Sequence, residues 1–531
     1  MRYVLEHLLY RKKPIRSKSH ALILACICLI ALANTQCSRS EDRAYSREST
    51  ITVLHCCDER VLGPYWRYTP QFLVFLPLVA RNAKGELEAR LAKSWEHSAD
   101  YGTWTIHLRT NVFWQDGVRV TAHDIKFTMD LLSHPEVLVE PPSAYSINVL
   151  DDSTYTITFH KQTRYRPLDD YQVYYPKHLL EDLDPAEIWE WDFWIHPVGN
   201  GPYRYVRHVP QTMIELEANP DFYEGKPKID RVVLKFRPSG DPSLTELLSG
   251  NVDMLLYINR MDLLSLSKDH RFRVYDRILH HRLRAIAWNQ HHPFFRDPKV
   301  RRALTLAINR RELLQVLYLP EGTPLFDVIF TKEQLEGGVL PEPLPYDPKR
   351  ANQLLDEAGW RDVDGDGVRE RDGEPFRFTA LVAHTQGLDA AAVYIQAQLR
   401  RVGVEMDVQV LDEDSADERI WAGEFEAAIF IFYNENVFYH SRFFGDDSPI
   451  AYSRPRVSAL LRAAEATWNP NEVDRAYRDL WPIFREDLPV TFLSPVVWTG
   501  VAHRRIQGLS SPWRTDPVRN MDDLWLEDDD P

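Results

Sequence analysis

Alternating apolar and polar residues predict β-strands in the first half of the chain. Segments 103–109 (TWTIHLR) and 155–160 (YTITFH) show the two-residue period of a strand with one buried face. We also interpret the short segments 51–57 (ITVLHCC) and 231–236 (RVVLKF) as strands. The first half of the chain is therefore expected to contain β-sheet.

Helical spacing of apolar residues occurs later along the chain. It extends over 300–317, 351–358 and 390–402, and Gly359 and Gly403 stand where helix-ending glycines belong. Because strands alternate with helices, we predict an α/β protein with mixed sheets in more than one domain.

The first residues have the pattern of an export signal. An apolar run at 21–33 follows a basic segment, and as a helix it would be only about 20 Å long, too short for a bilayer of about 30 Å. We predict that residues 1–36 are a secretory signal peptide. The alternative is a buried helix that begins the fold.

Two processing sites are compatible with this signal. Cys37 ends the apolar segment and begins a polar stretch, 37–50, that we interpret as a tether. This arrangement resembles a bacterial lipoprotein, in which acylation of the cysteine anchors the protein to the membrane. Residues 34–36 (NTQ) depart from the lipoprotein pattern, and cleavage after 31–33 (ALA) is the alternative.

Composition and charge restrict the class of protein. The chain of 531 residues is 44% hydrophobic and 27% charged, which is globular usage. Residues 1–36 contribute +5 to the net charge of −15, so the remainder stands at −20 and would repel nucleic acid. The adjacent Cys56 and Cys57 are interpreted as plain strand residues, since neighbouring cysteines join only through a strained ring.

One long segment is specific enough to suggest a family. Residues 91–132 read LAKSWEHSADYGTWTIHLRTNVFWQDGVRVTAHDIKFTMDLL. They predict a strand, a tight turn at Asp116-Gly117, and a helix capped by Thr121 with Asp124 at its third position. The segment closely resembles the signature of the family-5 extracellular solute-binding proteins, which bind peptides, nickel chelates and related solutes.

Further segments resemble the same family in the same order, and together the resemblance covers roughly residues 50–500. They are 198–203 (VGNGPY), 219–236, 248–253 (LSGNVD), 288–313, 346–360 and 395–406.

The resemblance implies a periplasmic-binding-protein-like α/β fold with two mixed-sheet lobes around a cleft and an extra inserted domain. The lobes would close on the ligand by hinge bending. The implied divisions are lobe I at 51–75, 197–285 and 500–531, inserted domain II at 76–196, and lobe III at 286–499.

Enzyme and metal motifs are sparse in this sequence. It contains no G-x-S-x-G, H-E-x-x-H, G-x-G-x-x-G or P-loop pattern. The pairs at 280–281 and 291–292 (HH) make poor chelates, because adjacent strand residues face opposite ways. Asp362, Asp364 and Asp366 begin a calcium-type loop, but Gly373 stands where a bidentate Glu is needed. A plain Asp/Gly turn is favoured, and no cofactor is expected.

The segment expected to touch ligand is 425–445 (FEAAIFIFYNENVFYHSRFFG). In peptide-binding members of the family, the matching strand ends near an Asp that pairs with the peptide's α-ammonium. That Asp is missing here, so either Glu435 replaces it or the protein does not take an ordinary peptide amine. The alternative is an aromatic core strand ending in a surface turn. The resemblance and the aromatic pattern give these candidate ligand-binding residues: Tyr65, Trp66, Trp288, Asn289, Phe432, Tyr433, Asn434, Glu435 and Tyr439.

The resemblance implies a monomeric, extracytoplasmic, lipid-anchored binding protein of an ABC importer. It would capture a peptide or similar small organic solute and deliver it to permease and ATPase subunits, without catalysing a reaction. The alternatives are a sensory or chaperone-like periplasmic binding protein and a periplasmic hydrolase.

Overall fold

Strands and helices alternate through most of the chain in the computed structural model. The structure describes residues 49–55, 71–81, 87–137, 145–160, 168, 172–236, 243–258, 262–266, 269–331, 334–335, 337–434, 437–509 and 521–527. All of these residues belong to the compact unit Arg47–Pro531. The predicted signal peptide, Cys37, Cys56, Cys57, Tyr65, Trp66, Glu435 and Asn436 lie outside the described residues.

The strands are numbered in chain order. They are β1 (Thr50–His55), β2 (Val79–Arg81), β3 (Leu87–Ala89), β4 (Ala92–His97), β5 (Thr103–Leu108), β6 (Tyr145–Asp151), β7 (Thr154–Phe159), β8 (Tyr203–Val209), β9 (Met213–Ala218), β10 (Arg231–Phe236), β11 (Met254–Leu255), β12 (Phe272–Trp288), β13 (Glu370–Arg371), β14 (Glu374–Pro375), β15 (Arg377–Ala383), β16 (Glu405–Leu411), β17 (Ala427–Tyr433), β18 (Val490–His503), β19 (Ile506–Gln507) and β20 (Trp525–Leu526).

The α-helices are numbered in the same way. They are α1 (Gln71–Val74), α2 (Ala122–Leu132), α3 (Lys177–Leu180), α4 (Ser243–Leu248), α5 (Leu263–Leu266), α6 (Pro298–Ala307), α7 (Arg310–Val316), α8 (Pro348–Glu357), α9 (Leu388–Arg400), α10 (Glu413–Ala422), α11 (Val437–Phe444), α12 (Pro455–Glu465) and α13 (Pro470–Asp487).

Ten strands form one mixed sheet, in the order β16-β15-β17-β12-β18-β11-β1-β10-β9-β8. Within it β1 runs parallel to β10 and β11, whereas β12 runs antiparallel to β17 and β18. A separate antiparallel sheet has the order β4-β5-β7-β6. The α/β class with mixed sheets is therefore confirmed.

The strand predictions agree with the structure wherever it describes them. β5, β7 and β10 occupy the predicted segments, and β1 covers the described part of 51–57. Buried residues alternate with half-buried ones along β7 and β10, as expected for strands with one face on a core.

Hydrophobic side chains collect in two large cores. One core takes residues between Leu279 and Val496, and the other takes residues between Ile51 and Tyr275 together with a few from 502–524. Side chains from the predicted inserted segment 76–196 share this second core with β1 and β10. The boundaries of the lobes stay a prediction.

The long strands β12 and β18 connect these cores. They pair continuously from Phe272 opposite His503 to Leu279 opposite Val496, and pairing resumes at Leu283 opposite Pro495. Residues 280–282 therefore form a bulge, a feature that bends a strand and increases its twist. The bulge lies where β12 passes from one core to the other.

The predicted helix cap in the 91–132 segment is confirmed. Thr121 and Asp124 form a capping box at the start of α2, and Asp124 accepts a hydrogen bond from the Thr121 backbone N–H at 2.7 Å. The second carboxylate oxygen of Asp124 accepts from the Lys177 N–H at 2.9 Å, which ties α2 to α3. Gly117 takes the left-handed conformation, with φ +92°, that the preceding turn requires.

The glycines of the 198–203 segment allow a close approach between backbones. A Cβ atom on Gly199 would lie 1.9 Å from the Val74 carbonyl oxygen, and one on Gly201 would lie 2.6 Å from the Leu73 carbonyl oxygen. Between them, the Asn200 side chain accepts from the Leu76 N–H at 2.8 Å. This motif therefore packs the segment before β8 closely against α1 and the residues that follow α1.

The helical pattern at 300–317 is divided into two helices. Ile308 is extended, and the Asn309 side chain caps α7 by accepting from the Glu312 N–H at 3.2 Å. The predicted helical structure is confirmed on both sides of 308–309, and the apolar period did not reveal the interruption because it carries no information on the cap. The segments 351–358 and 390–402 are confirmed as α8 and α9, and the glycines after them have positive φ.

Candidate ligand-binding site

Four predicted ligand-binding residues lie close to the end of β17: Phe432, Tyr433, Asn434 and Tyr439. Phe432 is fully buried and its ring lies 5.1 Å from Tyr439, 5.4 Å from Phe443 and 5.3 Å from Phe492. These contacts hold Phe432 inside the larger core. Phe432 therefore packs the end of β17 against the larger core.

Tyr433 and Tyr439 form the partly exposed part of this group. Their ring centroids lie 5.9 Å apart, with Tyr433 on the last position of β17 and Tyr439 in the first turn of α11. Glu435 falls in the chain between them but outside the described residues, so its role in ligand binding stays a prediction.

Asn434 anchors the end of β17 to two neighbouring segments. Its side-chain amide donates to the Phe330 carbonyl oxygen at 2.9 Å, and its oxygen accepts from the Phe330 N–H at 3.4 Å. The Asn434 backbone N–H donates to the carbonyl oxygen of His281, in the bulge, at 2.8 Å. In this arrangement Asn434 positions the residues around it.

Trp288 and Asn289 lie far from this group. Trp288 pairs with Ala427 at the opposite end of the β12–β17 ladder, six positions from the Arg282–Tyr433 pair, which corresponds to about 20 Å. The Trp288 indole N–H donates to Thr491 Oγ1 at 2.9 Å, and the Asn289 amide donates to the Phe425 carbonyl oxygen at 2.7 Å. Both side chains are buried, and their polar groups are used inside the larger core.

Arg282 and Trp498 lie beside Tyr433 in the structure, and neither was predicted from the sequence. Arg282 lies opposite Tyr433 in the ladder, with its guanidinium carbon 5.4 Å from the Tyr433 ring centroid and 5.6 Å from that of Trp498. Arg277 pairs with Trp498 on the other side of the bulge. The density of Arg and His in 273–284 was a signal that could have indicated this cluster.

His281 lies between these arginines. Burial, together with the positive charges of Arg282 and Arg277, lowers the pKa of His281 to about 3. Its imidazole is therefore neutral at physiological pH, and it can donate one hydrogen bond and accept another without adding charge.

The Asp/Gly loop after α8 brings carboxylates together and uses them as acceptors for backbone N–H groups. Asp362, Asp364 and Glu370 place carboxylate oxygens within 4.8 Å of one another, and Asp366 is not part of this group. The Asp362 carboxylate accepts from the Gly365 N–H at 2.7 Å, and the Asp366 carboxylate accepts from the Val368 N–H at 2.8 Å, as in an Asx turn. All three aspartates are exposed, and the group of Asp362, Asp364 and Glu370 could hold a metal ion, so the plain turn stays a prediction.

A model of the bacterial extracellular solute-binding proteins, family 5, matches residues 86–444 of this chain. The chain belongs to this family. Its role is therefore solute binding in ABC-type import, and its fold is that of the periplasmic binding proteins. The family is extracellular or periplasmic, and within the described residues no helix is long and apolar enough to cross a membrane.

Relatives with different named ligands match along most of their length. The oligopeptide-binding protein AppA of Bacillus subtilis (strain 168) is 25% identical over 519 residues, covering 90% of this chain and 93% of AppA. The nickel-binding periplasmic protein of Escherichia coli (strain K12) is 25% identical over 464 residues, covering 81% and 86%.

A solved structure supports the fold. The oligopeptide-binding protein AppA from Bacillus subtilis in complex with a nonapeptide aligns with a TM-score of 0.67 at 22% identity. The alignment covers 90% of this chain and 99% of that one.

Proposed function

We propose that this protein captures a peptide or a similar small organic solute and delivers it to the permease of an ABC importer. The observation that carries the proposal is the group of aromatic side chains at the end of β17, beside the strands that connect the two cores. Tyr433 and Tyr439 are partly exposed there, and an organic solute can pack against such aromatic side chains. The named ligand of AppA, an oligopeptide, agrees with this class of solute.

The first experiment identifies the solute. Protein purified from its native host is denatured mildly, and the released small molecules are measured by mass spectrometry. Peptides or peptide-like molecules bound in proportion to protein would support the proposal. A released metal ion with no organic partner would instead favour the ligand class named for the nickel-binding relative.

Ligand binding between two lobes should close the protein. A dissociation constant of about 1 μM corresponds to roughly 8 kcal/mol, enough to shift an open–closed equilibrium strongly if the ligand contacts both lobes. Small-angle scattering should then show a smaller radius of gyration at saturation. An unchanged radius with saturating ligand would contradict a cleft that closes.

The anchor for an ammonium group is assigned to Glu435. A buried unpaired cation is costly, so a peptide amine needs a carboxylate in the site. Changing Glu435→Gln should weaken binding of a cationic ligand by about 2–5 kcal/mol without unfolding the protein. Glu418→Gln, an exposed position on α10, is the matched control. Equal affinity of the two variants by calorimetry would remove Glu435 from the site.

Export with a lipid anchor on Cys37 completes the proposed function. Metabolic labelling with a palmitate analogue should mark the wild type and leave Cys37→Ser unlabelled. An unlabelled wild-type protein that begins at Asn34 would support cleavage after Ala33 instead.

The protein is proposed to act as a monomer that binds without chemistry. Candidate peptides incubated with it should remain intact by mass spectrometry, whereas cleavage products would favour a hydrolase. Permease and ATPase genes beside this one would support the importer over a sensory or chaperone-like binding protein.

A further inference from the structure

A positively charged cluster lies at the bulge of β12, and we name it the crossing cluster. It consists of Arg277, His281, Arg282, Tyr433 and Trp498. The guanidinium of Arg282 lies within 5.6 Å of the ring centroids of both Tyr433 and Trp498. At these distances the positive charge is attracted to the electron-rich faces of the rings, which favours this position of the guanidinium.

The arginines of this cluster have no acidic partner in the part of the chain that the structure describes. The guanidinium groups of Arg277 and Arg282 form no side-chain hydrogen bond or ion pair with any described residue, and Arg282 Nε is shielded from solvent with no acceptor. A buried guanidinium N–H without an acceptor is destabilising, because it gives up its hydrogen bonds to water.

The nearest carboxylate in sequence is already used elsewhere. Asp276 accepts a hydrogen bond from Thr499 Oγ1 at 2.6 Å. Since neighbouring residues of a strand point to opposite faces, Asp276 and Arg277 lie on different sides of β12. The neutral His281 adds hydrogen-bonding capacity to the cluster but no negative charge.

The position of the cluster connects it to the ligand site. Arg282 lies directly opposite Tyr433, and the N–H of Asn434 donates to the carbonyl oxygen of His281 at 2.8 Å. A solute that contacts the Tyr433 side chain would therefore lie close to the guanidinium of Arg282.

We propose that the crossing cluster binds a carboxylate group of the solute, with Arg282 as its principal donor and Arg277 as a second positive charge. This inference rests on the proposed function for the location of the solute. It restricts the solute to organic acids, including peptides with a free C-terminus. A planar carboxylate fits the edge of a guanidinium with two parallel hydrogen bonds.

The test uses simple acids, so that it does not depend on knowing the natural solute. Thermal unfolding of the mature protein is followed with succinate, with its neutral diamide, and with inorganic phosphate, all at one ionic strength because salt screens exposed charges. The variants are Arg282→Gln and, as the control on the same strand, Arg273→Gln, whose side chain contacts Gln507 at 3.5 Å.

Succinate should raise the unfolding midpoint of the wild type more than the diamide does. Arg282→Gln should weaken the apparent affinity for succinate about tenfold or more, whereas Arg273→Gln should leave it unchanged. Equal stabilisation by acid and diamide, or full stabilisation of Arg282→Gln by succinate, would overturn the proposal. A stronger, Arg282-dependent effect of phosphate would also overturn it, in favour of a phosphate-bearing solute.

A second set of ligands separates this inference from the proposed function. Tripeptides with a free C-terminus and their C-terminal amides are titrated into the wild type by calorimetry. Tight binding of both forms would support peptide capture and contradict the carboxylate site. Binding of succinate without binding of any peptide would support the carboxylate site and contradict peptide capture.

Discussion

The buried ion pair between Arg310 and Asp327 should be a principal determinant of stability in the larger core. Both side chains are nearly inaccessible, at 3% and 2% exposure. Arg310 Nη1 donates to Asp327 Oδ1 at 2.6 Å and to the Phe492 carbonyl oxygen at 2.9 Å, and Nη2 donates to the Leu344 carbonyl oxygen at 2.8 Å. The pair therefore joins α7 to β18 and to the loop before α8.

The expected cost of breaking the pair follows from this geometry. Asp327→Ala leaves the Arg310 charge buried with carbonyl oxygens as its only acceptors, and it also removes the acceptor of the Leu344 N–H. Removing one member of a buried pair typically destabilises a protein by about 3–5 kcal/mol. Asp327→Asn should also be destabilising, since its amide N–H₂ would face a donor on one side.

The measurement is the free energy of unfolding in urea, followed by tryptophan fluorescence. Trp288 and Trp360, two of the 15 tryptophans of the chain, lie in the same core as the pair, so the signal includes this core. The matched control is Glu357→Gln, which breaks the exposed Arg350–Glu357 pair on α8 and should change the free energy by about 0–1 kcal/mol.

The double variant Arg310→Met/Asp327→Leu tests the reasoning itself. Replacing both charges removes the unpaired ion, so it should be less destabilised than Asp327→Ala. If Asp327→Ala costs no more than the exposed control, the pair does not contribute as the burial and the hydrogen bonds indicate.

Three further predictions concern backbone contact and pH. Gly199→Ala should destabilise the protein by about 1–3 kcal/mol in urea unfolding, because its Cβ would contact the Val74 carbonyl oxygen, whereas Gly102→Ala should be nearly neutral. Burial lowers the pKa of His440 to about 3, so the unfolded chain binds the extra proton and stability should fall as pH drops below about 6.5; calorimetry should show a weaker fall in His440→Phe. Burial and the neighbours Glu413 and Asp414 raise the pKa of Asp417 to about 6. Ionisation of Asp417 therefore destabilises the folded state as the pH rises above the pKa of the unfolded chain. Asp417→Asn should raise the unfolding temperature at pH 7 but not at pH 4.

The parts of the fold that could be predicted are those that local chemistry determines. A two-residue apolar period identified β7 and β10. The Thr121–Asp124 cap could be predicted because its two residues are only three positions apart in the sequence. The break at Asn309 was missed, because an apolar period continues through a cap when both helices face one core.

The candidate site was less predictable because long-range pairing builds it. Tyr433 and Tyr439 are close in sequence and were chosen from their aromatic pattern. Arg282 is brought to them by a ladder between residues 151 positions apart, and its register depends on the bulge at 280–282. Trp288 belongs to the same strand, yet the same register places it at the opposite end of the ladder.

Residues that specify the fold and residues proposed to select the solute lie in different parts of the sequence. The segments that resemble the family supply turns, caps and buried ion pairs: Gly199 at a backbone contact, Asp253 bound to Arg505 at 2.9 Å, and Arg310 bound to Asp327. Such residues specify the fold, and changing them should alter stability before it alters ligand choice. At the bulge, by contrast, Arg282 keeps a buried side-chain N–H without an acceptor among the described residues. The choice of solute is therefore expected to depend on the crossing cluster and on the few residues that follow Tyr433, and substitutions there should change which ligand binds while the free energy of unfolding stays nearly constant.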